Sequence, residues 1–569
     1  MSNAEVISVL PDKIKIKVKD IEDFKVAEEK FAVGSYLRVS DSQDCAIIAM
    51  IENFVIEQLD LSTEKRYILE AVPIGFLDTT GKFIRGGNNI AIPPTGVEPA
   101  KKGEIQNIYN QIEEVKKFNF ARLLQNEYIS VPVDGDKFFN KHIAIIGSTG
   151  SGKSHTVAKI LQEAKVTKES NYEGLNNSHI LIFDIHSEYK SAFPSCNHID
   201  VSNLHLPYWL MNGEELEEIF VETGENQAYN QVNLLRRLIT RNKQIKNSSE
   251  KDVSFDTPIR FSIEEVLTCI INLSKETRNS KKPYEIMIKD AKKEFNSDEE
   301  KFDTYFAKEY EFHEQKNGSV SKGTYNDGSL EKFISRIRNK INDKRLEFLF
   351  GAEAVKMQFT DILIELLGYK SANNSNITII DLSGVPFEVL SITVSLISRL
   401  MFECGYYLKQ LNGKDCVAPL LLVYEEAHKY VPKLRDSKYN SSRISIERIA
   451  KEGRKYGVTL AIVSQRPSEI SETIFSQCSN FVVMRLTNPQ DQGYVKRLLP
   501  DSLGTVTDTL PSLGSGEAII IGDSVTMPSI VKIERCSPEP ESNDINYLQE
   551  WKKPWKGIDF EAIVKKYRK

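Results

Sequence analysis

The stretch His142-Ile143-Ala144-Ile145-Ile146-Gly147-Ser148-Thr149-Gly150-Ser151-Gly152-Lys153-Ser154 decides how this chain is read. Its first five residues have the length and apolarity of a short buried strand. The next eight satisfy G-x-x-x-x-G-K-[ST], a loop whose glycines let successive backbone N–H groups turn inward around phosphate oxygens. Behind the loop, Val157, Ile160, Leu161 and Ala164 recur at helical spacing. The loop therefore opens a helix whose N-terminus adds partial positive charge. Gly147, Ser148, Thr149, Gly150, Ser151, Gly152, Lys153, Ser154 and the following His155 are expected to line a nucleotide. Lys153 would neutralise the β- and γ-phosphates, and the Ser154 hydroxyl would ligate Mg²⁺. ATP and Mg²⁺ are the cofactors this implies.

Such a loop needs an acidic partner at the tip of another buried strand. Leu420-Leu421-Leu422-Val423-Tyr424 runs straight into Glu425-Glu426-Ala427-His428. Glu425 suits the metal, directly or through water, and Glu426 suits a general base on the attacking water. Two adjacent acids favour a hydrolysing ATPase over a small-molecule kinase. His428 reads as a supporting group rather than a ligand. A third apolar strand, Val458–Ser464, ends in Gln465, whose amide is placed to sense the γ-phosphate. Upstream, Arg448, Lys451, Arg454 and Lys455 form a basic cluster on a helix ending near Gly457. A helix C-terminus favours cations in any case. The sharper reading is that Arg454 reaches a neighbouring subunit's nucleotide and stabilises transition-state charge.

Working outward, residues 1–115 read as a β-rich module. Lys13–Lys19 alternates with period two, further strands are expected over 35–39, 46–56 and 66–75, and Pro93-Pro94-Thr95-Gly96 closes the module. A small barrel or sandwich fits this pattern. From about Tyr128 strands alternate with helices, with strands expected over 142–146, 179–185, 376–382, 419–424, 458–464 and 480–484. A late β pair over 516–521 and 529–533 follows. This is the pattern of a parallel sheet covered on both faces. Between about 205 and 370 the strand signal disappears, and the segment reads as a charged helical insertion with clear periodicity over 330–350. The expected domains are thus 1–115, a core in two parts over 116–204 and 371–535, the insertion over 205–370, and a tail over 536–569.

Composition bounds the rest. The chain has 569 residues, 40% of them hydrophobic and 27% charged, an ordinary globular balance. The longest apolar stretch near the motifs, 417–424, is far short of the ~20 residues a membrane-spanning helix needs. No secretory signal is expected. Seven dispersed cysteines without a C-x-x-C pair point to reduced thiols in the cytoplasm rather than a disulfide frame or zinc site. A net charge of −6 argues against broad attraction to nucleic acid but not against a local basic channel.

The stretches HIAIIGSTGSGKS, ILIFDIHSEY, LPYWLMNGEELEEI, TIIDLSGVP, LLLVYEEAHKYVP, KEGRKYGVTLAIVSQRPSEI and GSGEAIIIGDSVTMP occur in this order over roughly residues 140–530. Together they resemble the HerA branch of the HerA/FtsK ring translocases. The resemblance implies an α/β fold: a RecA-like P-loop core with an N-terminal β-barrel, an inserted helical region and a C-terminal tail that embraces a neighbour. It also implies a hexamer with double-stranded DNA in its central channel. Carried over by position, Lys153 and Ser154 are the P-loop pair, Glu426 the catalytic glutamate, Gln465 the sensor and Arg454 the trans-acting arginine. Asp184 and Glu188 match the D-x-H-x-E-Y element and are expected near the nucleotide. Two positions depart from the family pattern: Glu425, where aspartate is usual, and Lys141, where relatives often carry arginine.

Two functions follow as expectations. One is an ATP-driven DNA translocase, with Lys332, Arg336, Arg338, Lys340, Lys344 and Arg345 of the insertion as candidates for an entrance to the channel. The other is a ring that binds ATP to assemble and activate an effector enzyme. The resemblance implies an effector, a nuclease or an NAD-cleaving enzyme docked at the N-terminal barrel, in DNA end processing or antiviral defence. A conjugation or chromosome-segregation pump is disfavoured by the absence of a membrane segment.

Overall fold

In the P-loop region the chain folds as its apolar runs dictate. The computed structural model describes all residues except 1–3, 11, 21–23, 25–31, 41–45, 59–64, 87–95, 167–176, 223–227, 290–291, 317, 370–374, 414–417, 434–439, 500, 543–544 and 568–569. The expected turn at Pro93-Pro94-Thr95, and Cys45 and Cys416, lie outside the described residues. Ten strands form one central sheet. Seven are parallel, in the order Asn197–Ile199, Ile377–Asp381, His179–Asp184, Leu420–Tyr424, Val458–Ser464, His142–Ile146 and Cys478–Met484. Glu517–Gly522, Ser529–Ile533 and Ala121–Leu123 then continue it antiparallel. The sheet is thus mixed rather than purely parallel. Its central strands are buried at every position, which is why they read as continuous apolar runs and not as alternation. At about 1.5–3 kcal/mol per buried aliphatic side chain, these strands fix the core.

The 26-residue helix Phe387–Asn412 crosses the sheet, buried along its first half. It carries Arg399, which donates to the Glu215 carboxylate over 2.9 Å and to the Leu210 carbonyl over 2.7 Å. Glu215 is fully buried and also closes the capping box of the Gly213–Phe220 helix, so this pair ties the insertion to the core.

The insertion departs from the expectation. Beside its helices it holds a four-stranded antiparallel sheet of Lys292–Glu294, Glu285–Met287, Thr277–Asn279 and Val320–Lys322. Three residues are too few to display a period, so no strand signal shows. The 330–350 periodicity also breaks: Glu331–Ile341 ends at Asn342, and Asp343 caps a new turn.

The N-terminal barrel is likewise corrected. Seven antiparallel strands form a curled half-barrel in the order Ala4–Val9, Ile14–Val18, Lys65–Leu77, Ala46–Gln58, Tyr36–Ser40 and Gly96–Pro99, with Phe83–Arg85 on the flank of Lys65–Leu77. Among the described residues no ladder joins the outer strands Ala4–Val9 and Gly96–Pro99. Alternation in sequence sets which face of a strand is buried, not whether a sheet closes. The module docks on the antiparallel edge of the core. Tyr36 donates to the Pro528 carbonyl over 3.0 Å, and the Tyr109 hydroxyl bonds Ser529 over 2.6 Å. No helix among the described residues is long and apolar enough to cross a membrane.

Candidate nucleotide site

The P-loop strand delivers Gly147 between two neighbours. The Gly147 N–H donates to the Ser464 carbonyl over 3.2 Å, and the Ser148 N–H to the Arg485 carbonyl over 2.7 Å. A Cβ on Gly147 would lie 2.5 Å from the Ser151 hydroxyl, and Gly152 holds φ +100°, so neither position accepts a side chain at no cost. The loop then enters the Lys153–Val166 helix. Lys153 is 8% exposed and donates to the Ser148 carbonyl over 3.3 Å. Burial lowers its pKa, while Glu426, Glu425 and Glu188 pull it back up. The lysine thus faces all three carboxylates.

Those carboxylates behave differently. Glu425 is 2% exposed, and its Oε1 lies 3.4 Å from the Ser154 hydroxyl and 3.5 Å from the Tyr189 hydroxyl. Its Oε2 is buried with no hydrogen-bond donor. Burial, then repulsion from Asp184, Glu188 and Glu426, push its pKa well above the usual carboxylate range. Glu426 takes the left-handed conformation, φ +47°, uncommon outside glycine. Burial raises its pKa, but His428 and Lys153 outweigh this and leave it below its ordinary value. His428 Nδ1 sits 3.2 Å from Glu426 Oε2 and 3.3 Å from the Ser464 hydroxyl. Among the described residues no group of three or more side chains could hold a metal alone.

Asp184 accepts backbone N–H bonds from His186 and Tyr189, at 3.1 and 3.0 Å, and so shapes the loop carrying Glu188. Glu188 Oε2 is buried without a donor. Gln465 reaches the loop, accepting from the Thr149 hydroxyl over 2.7 Å. His155 turns away, toward Ser542 and Glu539 of the C-terminal segment at 3.3 and 3.7 Å. Lys141 pairs with Asp523.

Arg454 does not join this cluster. It lies exposed in the turn Gly453–Tyr456, before the first residue of the strand whose far tip carries Gln465. The strand separates it from its own phosphate loop by about seven residues at ~3.3 Å each. Of the rest of the basic cluster, Arg448 stacks over Phe402 at 4.6 Å and Lys451 faces Glu447 at 3.8 Å. In the insertion, Arg336, Lys340 and Arg345 are held by Glu222, Glu388 and Asp343. Two groups at the site escaped the sequence reading. Tyr189 ends the ILIFDIHSEY stretch, but only the fold aims its hydroxyl at Glu425. Arg485, 3.5 Å from the Gly150 carbonyl, follows a strand with no motif of its own.

A glycine-rich loop between parallel strands, with strand-tip carboxylates around its lysine, defines a P-loop ATP hydrolase. Residues 118–401 match the family described as Helicase HerA, central domain. The chain is 27% identical over 472 residues to the DNA double-strand break repair helicase HerA of Saccharolobus solfataricus, covering 81% of this chain and 77% of that protein. It is 28% identical over 417 residues to the HerA helicase of Sulfolobus acidocaldarius, covering 73% and 69%. Among solved structures, VirB4 of Thermoanaerobacter pseudethanolicus aligns over 75% of this chain and 98% of its own, with a TM-score of 0.47 and 13% identity. The chain belongs to the HerA family of ATPases.

Proposed function

We propose that this chain is an ATP-driven translocase of double-stranded DNA, working as a hexameric ring. One observation carries the reading. The chain holds its phosphate loop and carboxylates at one end of the sheet and its exposed Arg454 at the other, so a site with both needs a second subunit. Lys153 binds the β- and γ-phosphates, Glu426 accepts a proton from the attacking water, and Gln465 follows the γ-phosphate through Thr149. Arg454 of a neighbour meets the charge that develops on the transferred phosphoryl group. The residues present fit Mg²⁺: Ser154 and Glu425 offer oxygen donors within 3.4 Å of each other, and Glu425 Oε2 has no other partner. Bound there, the ion would neutralise phosphate charge.

The printed name of the S. solfataricus relative, a DNA double-strand break repair helicase, supports DNA as the polymer. We further propose that an effector, a nuclease or an NAD-cleaving enzyme, docks on the N-terminal half-barrel. The test is hydrolysis with and without duplex DNA. Stimulation that Glu426→Gln abolishes is expected. Unchanged hydrolysis on adding DNA, with Arg454→Ala as active as wild type, would overturn the proposal. If Glu426→Gln leaves the biological output intact while Lys153→Ala dissolves the assembly, the ring is an activating scaffold instead.

A further inference from the structure

His142 begins the P-loop strand and is fully buried. Both ring nitrogens are engaged. The Leu460 backbone N–H, which can only donate, approaches Nδ1 at 3.1 Å. Nδ1 is therefore the bare nitrogen and Nε2 carries the hydrogen. Nε2 donates over 2.9 Å to the carbonyl of Ala450, one of the last four of the Ser441–Glu452 helix, where carbonyls run short of helical partners. Arg454 follows four residues on. The turn that holds it is wedged in place: a Cβ on Gly453 would lie 2.5 Å from the Val458 carbonyl oxygen and 2.8 Å from Ile449. One imidazole thus joins the strand entering the phosphate loop, the strand leading to Gln465 and the helix presenting Arg454.

We propose that His142 is a positioning residue that sets Arg454 for use at the neighbouring subunit's nucleotide. The strand that grips one subunit's phosphates then also fixes the arginine offered to the next. This rests on the reading of Arg454 given under Proposed function, and the experiment separates the two.

Two amides divide the imidazole's bonds. The nitrogen of His142→Gln reaches the Nε2 position and still donates to Ala450. The oxygen of His142→Asn takes the Nδ1 position, still accepts from Leu460 and falls short of Ala450. DNA-stimulated hydrolysis in the Gln variant is expected to stay near wild type. The Asn variant should lose at least about tenfold in kcat, a part of the ~10³–10⁵ an arginine finger supplies, with KM for ATP little changed. A merely structural role would not sort the two amides this way. Assemblies mixing His142→Asn with Lys153→Ala chains should exceed the sum of the two alone, because the intact site of one chain then meets a well-placed Arg454 of the other. Equal Asn and Gln variants, or no gain on mixing, overturn the proposal. If Arg454→Ala mixed with Lys153→Ala gains activity and His142→Asn does not, only the positioning role fails. If neither mixture gains, Arg454 does not act in trans, and both readings fall.

Discussion

Glu425 and Glu426 are neighbours in sequence with opposite acid–base behaviour. Burial among carboxylates drives Glu425 up, whereas His428 and Lys153 keep Glu426 ionised. Glu426→Gln is therefore expected to cut hydrolysis by about 10²–10⁴, the range general-base catalysis supplies, while nucleotide affinity measured with a fluorescent ATP analogue stays intact. Equal loss of affinity would contradict the assignment. His142 gives a second check. Burial, with Arg454 nearby, lowers its pKa from 6.5 to about 4. The folded state resists a proton that the unfolded chain accepts, so this contribution is complete above pH 6.5 and is lost as pH falls toward 4. Between pH 7 and 5 wild type should lose about 2 kcal/mol more stability than His142→Gln in denaturant unfolding. Parallel losses would contradict it. At this scale the phosphate loop, its lysine and the acidic pair were legible, because their spacing is imposed by phosphate geometry. The Tyr189 and Arg485 contacts were not, since each depends on which strands lie side by side.

Among elements, legibility follows burial. The strands 142–146 and 458–464 were readable to the residue because strands buried on both faces are largely apolar. The three-residue strands of the insertion carry no period, and the Ala121–Leu123 edge strand is equally short. Periodicity also missed the joint between insertion and core, which is polar. Arg399 is 8% exposed and Glu215 fully buried. Removing one partner strands a charge, so Arg399→Ala should destabilise by about 3–5 kcal/mol. Adding Glu215→Gln should cost less than the sum of the two single changes, measured as a double-mutant cycle. Full additivity would show that the pair is not coupled.

Across the whole molecule, the C-terminal segment first straps its own P-loop helix. Gln162 donates to the Pro538 carbonyl over 2.8 Å, and the Glu541 N–H to the Glu188 carbonyl over 2.9 Å. Beyond it, Tyr547, Leu548, Trp551, Trp555 and Phe560 stand exposed, Trp555 fully so. In the proposed ring this apolar surface would lie against a neighbouring subunit. Truncation after Ser542 should leave the thermal midpoint nearly unchanged and weaken self-association in sedimentation. A tail dispensable for assembly would contradict this. The central claim, a composite site between subunits, is tested most directly by the rate of ATP hydrolysis per chain as a function of protein concentration, with saturating ATP and duplex DNA. The expected result is a steep rise to a plateau as sites form between chains. A constant rate down to concentrations where only the 64.7 kDa single chain is present would contradict it.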